Sequence, residues 1–339
     1  MKTALSKLIT GAHLSVAEAE AAMTALTNGN ASPAQIGALL AALRVKGETV
    51  DEITGFARVL RAKSLRVQTS RRPLLDTCGT GGDTVKTFNI STAAAFVAAA
   101  AGVAVAKHGN RAATSKCGSA DVLEASGVRL DLDADAVGRC IDAIGIGFLF
   151  ARAHHPAMKH AAPVRAELGF RTVFNALGPL TNPAGATRQL LGVYDPALCE
   201  PLAHVLGNLG AERAMVVHGG PGLDEIATWG ETLVAEWDGT AVRTYTITAE
   251  RLGVSTGDPA DLEAGCDAAE SAAILQAILN GTDTGAKRDI VAVNAGAALY
   301  TAGVADTLTD GVRAAQETLA SGAAASKLAE LIAWTRSSD

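Results

Sequence analysis

Residues 74–83 read LLDTCGTGGD, and residues 91–102 read STAAAFVAAAAG. LLD suits a short buried strand. TCGTGGD places three glycines within four positions, and the stretch from Ser91 has helical composition up to a stop at Gly102. Strand, glycine loop and helix in that order form the repeating unit of an α/β fold. The unit recurs downstream, with VAVA (103–106) as the next strand, KHGNRAATSKCGS (107–119) as the next loop and ADVLEAS (120–126) as the next helix. GFLFA (147–151), QLLGVYD (189–195) and AMVVHGG (214–220) are further strands, each followed by a loop and a helical pattern. HPAMKHAAPVRAELG (155–169) reads as one more helix, and residues 262–335 return to Ala-rich helices. The predicted class is therefore α/β, with a mostly parallel central sheet flanked by helices.

Upstream of Pro73 the pattern changes to short helices. Ser15 with Glu18 makes a capping box before AEAEAAMTAL. Ser32, Pro33 and Gln35 supply a cap, a first-turn proline and a second box. Thr49 with Glu52 repeats the device before ITGFARVLRAKS, and Gly29 and Gly47 stand where helices should stop. The expected organisation is a small helical domain over 1–70, joined by helices near 155–185, and a large α/β domain over 73–339.

The 339 residues are 48% hydrophobic and only 4% aromatic, so Ala, Val, Leu and Ile must fill the core. A net charge of −6 argues against a nucleic-acid partner. The local cluster Arg58, Arg61, Lys63, Arg66, Arg71 and Arg72 reads as a solvated helix end and linker. Cys78, Cys117, Cys140, Cys199 and Cys266 are odd in number and lack C-x-x-C spacing, so neither a disulfide framework nor zinc is expected. The N-terminus lacks the apolar run of a signal peptide, and 93–106 is too short and small-chained to span a bilayer. A cytoplasmic protein is expected, with no membrane partner.

Ligands of parallel α/β sheets bind beyond the carboxyl ends of the strands, and two loops there have unusual composition. Glycines in Cys78–Asp83 let backbone N–H groups face an anion, although a plain tight turn would use the same residues. The loop is neither a Rossmann fingerprint nor a P-loop. Asn89, Ser91 and Thr92 precede the Ala-rich helix, where they can cap it, hold a phosphate, or do both. The loop from Lys107 to Ser119 gathers three cations, several hydroxyls and two glycines before another helix, a composition suited to a polyanion. Asp224 and Glu225 read as ordinary turn acids or as caps of a helix starting near Ile226. His154, His155 and His160 read as structural or substrate-tunnel residues rather than a metal cluster.

GTGGD (79–83), K-x-x-N-x-S-T (86–92), KHGNR (107–111) and GSADVLEA (118–125), in this order and spacing, resemble the anthranilate phosphoribosyltransferase family. So do ASPAQIGALLAALRVKGET (31–49), VRAELGFRTVFNALGPLTNPA (164–184) and HGGPGLDE (218–225). The likeness runs from about residue 5 to the C-terminus. Related nucleoside phosphorylases share the architecture, but their glycine and basic motifs differ.

The resemblance implies transfer of a 5-phosphoribosyl group from phosphoribosyl pyrophosphate (PRPP) to the amine of anthranilate, in tryptophan biosynthesis. It implies that PRPP contacts Gly79, Gly82, Asp83, Thr87, Asn89, Ile90, Ser91 and Thr92, then Lys107, His108, Gly109, Asn110, Arg111, Ala112, Ala113, Thr114, Ser115 and Ser119. Anthranilate would contact Gly79, Asn110 and Arg165, and Mg2+ would contact Ser91, Asp224 and Glu225. A homodimer is also implied, and no covalent nucleophile. The chain departs from the family pattern at Ala112, Thr114 and Cys117, where serines are usual. Thr114 keeps a hydroxyl, whereas Cys117 offers no comparable hydrogen-bonding group.

Overall fold

The computed structural model describes residues 1–82, 84–112, 116–220 and 222–337. Four helices open the chain: α1 (Lys2–Leu8), α2 (Val16–Thr27), α3 (Pro33–Lys46) and α4 (Val50–Lys63). The three expected capping boxes begin α2, α3 and α4. Glu52 does more than cap. Fully buried, it accepts hydrogen bonds from the Leu14 N–H at 2.9 Å, the Thr49 N–H at 2.8 Å and the Lys46 ammonium at 2.9 Å. One carboxylate thus ties the entry of α2, the end of α3 and the start of α4, with its charge paired and its oxygens satisfied.

The sheet follows. Its elements run β1 (Leu75–Gly79), α5 (Ile90–Ala100), β2 (Val105–Gly109), α6 (Ser119–Ala125), α7 (Ala134–Ile144) and β3 (Ile146–Phe150). Short helices α8 (Ala151–His154), α9 (Ala162–Leu168) and α10 (Val173–Leu177) lead to β4 (Arg188–Gly192), α11 (Cys199–Asn208) and β5 (Arg213–Gly219). Then come β6 (Thr232–Trp237), β7 (Val242–Ile247), α12 (Ala268–Leu279), α13 (Ala286–Thr301), α14 (Leu308–Ala320) and α15 (Ala323–Ser337). The strand order is β3-β2-β1-β4-β5-β6-β7; β1 to β5 are parallel, and β6 and β7 are antiparallel. The chain builds outward from β1 through β3, then reverses and builds the other way from β4. The switch point lies between β1 and β4, where a crevice opens at the carboxyl ends.

Two large hydrophobic cores fill the two faces, and a third, smaller one gathers Ala106, Val137, Ile141 and Leu149 around α7. One packs α5, α12, α13, α14 and α15 on one side of the sheet. The other joins the opening helices, α9, α10 and α11 to the opposite side. In α5 every residue from Thr92 to Ala99 is buried, and its alanines let the helix lie close to β1 and α13.

Four sequence expectations are revised. The first two strands run later than read, because Lys107 and His108 are buried strand residues rather than loop residues. TLVAEW and VRTYTI form β6 and β7, which were not anticipated. The helix expected over 155–169 is broken into a 3-10 turn (Pro156–His160) and α9, each with a proline in its first turn, since Pro163 cannot sit inside a continuous helix. No helix starts near Ile226; residues 226–231 are irregular, which removes the capping reading of Asp224 and Glu225.

Candidate active site

The glycine loop leaves β1 at the switch point and meets an acidic turn from beyond β5. Asp224 lies across the carboxyl ends of the parallel strands, and glycines make room for it. A Cβ at Gly79 would fall on the Asp224 carboxylate, one at Gly192 on the Asp224 carbonyl, and one at Gly219 on the Glu225 carbonyl. Three strands thus end in a glycine where one turn crosses them. Gly81 and Gly82 carry φ of +65° and +80° and turn the loop back over this crossing.

Both acids reach backbone donors. The Gly81 N–H donates to Asp224 Oδ2 at 2.8 Å, and the Ser91 N–H, in the first turn of α5, donates to Glu225 Oε1 at 3.1 Å. The two backbone positions read from sequence as anion seats therefore hold the protein's own carboxylates. Burial pushes the Asp224 carboxyl above its usual range, against the opposing pull of the Gly81 hydrogen bond. Among the described residues no group of three or more His, Cys, Asp or Glu is arranged to hold a metal ion. A hard cation here would use these two carboxylates and a Ser91 hydroxyl, and take its remaining ligands from a substrate.

The remaining residues of the first loop are placed as follows. Thr87 forms an isolated bridge with Glu263, and Asn89 precedes α5 and donates to the Cys117 carbonyl at 3.2 Å. Ile90 is buried, and Thr92 Oγ1 is buried without a hydrogen-bond partner among the described residues. Asp83 lies outside the described residues, as do Ala113, Thr114 and Ser115.

The described residues of the loop after β2 are held by partners within the loop and α6. Asp121 of α6 accepts from the Ala112 and Gly118 N–H groups, each at 2.9 Å. Arg111 is held by Asp121 at 2.9 Å and Glu124 at 2.7 Å, with its guanidinium 5.7 Å from the Phe150 ring centroid. Ser119 Oγ bridges Asn110, accepting from its N–H at 3.2 Å and donating to its carbonyl at 3.3 Å, while Gly109 leaves space for that hydroxyl. Lys107 points back into the sheet, donating to the Thr77 carbonyl and lying near buried Asp76. Asp76 accepts from the His108 N–H at 3.0 Å and the Asn182 amide at 2.8 Å.

His108 and His155 form a ring pair with centroids 5.2 Å apart, and each has a buried Nε2 with no hydrogen-bond partner among the described residues. Burial holds His108 well below the usual imidazole range and brings His155 to about 4, so both rings are neutral at pH 7. His154 sits 3.2 Å from the Leu65 carbonyl and His160 lies beside Gly29, so the three histidines read together in sequence face different neighbours. Arg165 of α9 is half-buried, with its guanidinium 5.1 Å from the Phe174 ring centroid.

Sequence reading missed Arg171 and Tyr194, whose side chains stack at 4.3 Å beside Gly82. It also missed Gly192. A cavity of about 430 Å³ lies at the opposite, amino end of the sheet, lined by Arg71, Arg72 and Arg188 among others, and shares no residue with these loops.

Residues 71–325 match the family model described as glycosyl transferase family, a/b domain, and residues 2–64 match the helical bundle domain of the same family. The anthranilate phosphoribosyltransferase of Moorella thermoacetica is 56% identical over 337 residues, covering 99% of both chains. That of Rubrobacter xylanophilus is 54% identical over 99% of this chain and 98% of its own. The crystal structure of the Thermus thermophilus anthranilate phosphoribosyltransferase superposes with a TM-score of 0.94 at 48% identity, covering 98% of this chain and 99% of that one. The Saccharomyces cerevisiae enzyme in complex with PRPP and Mg superposes at 0.89 with 27% identity, over 99% of this chain and 98% of that one.

Proposed function

The chain belongs to the anthranilate phosphoribosyltransferase family, and on that premise we propose how its residues divide the work. It transfers the 5-phosphoribosyl group of PRPP to the amine of anthranilate, giving N-(5-phosphoribosyl)anthranilate and pyrophosphate, the second step of tryptophan biosynthesis from chorismate.

The observation that carries the assignment is the pair of carboxylates seated on backbone N–H groups at the switch point. A substrate rich in phosphate would take the Gly81 and Ser91 N–H groups, and Asp224 and Glu225 would turn toward Mg2+ with the Ser91 hydroxyl beside them. Mg2+ supplies neutralisation of the leaving diphosphate when bound. Gly79, Gly82, Asp83 and residues Thr87 to Thr92 then form one wall of the PRPP site, and Lys107 to Ser115 with Ser119 the other. Asp121 supports the reading by tying Ala112 and Gly118 of the second wall to α6 through their N–H groups. For anthranilate, Asn110 and Gly79 lie at the strand ends, and Arg165 offers a guanidinium matched to a planar carboxylate. The neutral His108–His155 pair lends that side an uncharged lining.

No strong general base is required. The anthranilate amine is unprotonated at neutral pH and carries its own lone pair to ribose C1, where positive charge develops as the diphosphate leaves. Orientation and charge complementarity suffice. The packing of α9 against α3, and of α10 against α3 and α4, supports a helical unit of residues 1–70 with 155–185, set against an α/β unit over 73–339. A cytoplasmic homodimer completes the proposal; five free cysteines fit a reducing compartment.

The test uses purified protein with PRPP, Mg2+ and anthranilate, following the loss of anthranilate fluorescence. Turnover that depends on all three is expected. Phosphorolysis of a nucleoside, with anthranilate untouched, would overturn the assignment.

A further inference from the structure

Arg171 reaches the glycine loop from the other side of the crevice. Helix α9 ends at Gly169, whose φ of +65° reverses the chain, and Thr172 begins α10 with a capping box. Arg171 lies on this two-residue link between helices that pack on α3 and α4. Its guanidinium donates to the Gly82 carbonyl and stacks 4.3 Å from the Tyr194 ring centroid. Its charge also opposes the burial that raises the Asp224 carboxyl. Three parts of the crevice therefore converge on this cation: the glycine loop, the acidic turn and the loop after β4.

Arg111, Arg188 and Arg288 each contact a carboxylate, whereas Arg171 forms no ion pair among the described residues. Among the described residues its hydrogen bond goes to a neutral carbonyl. A guanidinium has five donors in a planar fork, so one edge can remain on Gly82 while another grips a second acceptor. The Tyr194 ring fixes the plane of that fork and leaves its edges to polar partners.

We propose that Arg171 is a pyrophosphate-binding residue: it props the glycine loop in the free enzyme and takes a diphosphate oxygen of PRPP, or of released pyrophosphate, in the complex. The proposal rests on the assignment of the glycine loop to PRPP. It adds a cation delivered by the helical side, which couples the approach of the two sides to the presence of the leaving group.

The experiment compares the intact enzyme with Arg171→Ala and Arg171→Lys, measuring magnesium pyrophosphate binding by calorimetry and the steady-state constants for both substrates. Arg171→Ala should weaken pyrophosphate binding and raise the PRPP KM at least tenfold, with the anthranilate KM within twofold of wild type. Arg171→Lys should recover part of the loss, since charge returns without the fork. Unchanged pyrophosphate affinity in Arg171→Ala would overturn the proposal, as would a tenfold rise confined to the anthranilate KM, which would assign the cation to the acceptor. A lowered melting temperature with normal pyrophosphate binding would make Arg171 a structural strut and overturn it equally. Gly79→Ala serves as the control for the underlying reading. If it leaves pyrophosphate binding intact while Arg171→Ala weakens it, the loop assignment fails and the cation site stands.

Discussion

The loops after β1 and β2 both suggest anion seats by their sequence, but among the described residues their backbone donors are satisfied in opposite ways. The first is filled from afar: Asp224, 143 residues downstream of Gly81, and Glu225, 134 residues downstream of Ser91, occupy its N–H groups. The second is filled from within: Asp121, nine residues from Ala112, holds the loop and Arg111 together. A local capping acid belongs to the structure of its loop and stays. An acid contributed by a separate turn can leave when a cation offers it a better partner. On the proposed function the first loop exchanges its ligand, while Asp121 keeps Ala112, Gly118 and Arg111 of the second together.

The sharpest way to break this contrast is a substitution at Gly79. Its Cβ would meet the end of the Asp224 side chain, which can move, while Gly192→Ala would meet the Asp224 backbone, which cannot. Gly79→Ala should lower kcat/KM by about two to three orders of magnitude, with the melting temperature nearly unchanged. Gly192→Ala should instead lower the melting temperature. Near-normal turnover in Gly79→Ala would separate Asp224 from the chemistry.

Acid provides a second, smaller probe, at the base of the second loop. Burial lowers His155 from the ordinary 6.5 to about 4, so between those values the unfolded chain binds a proton that the folded chain refuses. The His155 contribution is present above pH 6.5 and is lost as pH falls through about 4. It amounts to at most about 3 kcal/mol. Denaturant unfolding across this window should show stability falling with pH, and His155→Phe should flatten that slope. An identical slope in the variant would mean that the ring is solvated.

Asp121→Ala gives the smallest effect. Loss of two backbone acceptor contacts should cost about 1 kcal/mol of stability and loosen the second loop. The PRPP KM should rise modestly, and kcat should change far less than in Gly79→Ala. A kcat loss equal to that of Gly79→Ala would erase the distinction between the loops.

Local chemistry was the legible part of the sequence. Capping boxes at Ser15, Ser32 and Thr49 are three-residue devices, and each begins a helix as read. The glycine loop also stood out, because so few side chains occupy it. Lys107 and His108 misled, since polar residues inside a parallel strand are indistinguishable from a loop until their buried partners, the Thr77 carbonyl and Asp76, are known. The meeting of Gly81 with Asp224, and of Gly82 with Arg171, depends on sheet register and helix packing across the crevice. No spacing in the sequence encodes either contact.

A magnesium titration of the Asp224→Asn, Glu225→Gln variant, with melting temperature followed in parallel, tests most directly whether these carboxylates serve a cation or merely fill space. Both replacements keep the side-chain shape and an oxygen acceptor for Gly81 and Ser91, so the fold has no reason to fail. Lost metal ligands should raise the magnesium requirement about 10- to 100-fold and cut kcat, with the melting temperature little changed. A lowered melting temperature with an unaltered magnesium dependence would contradict the exchange of these acids between backbone and metal.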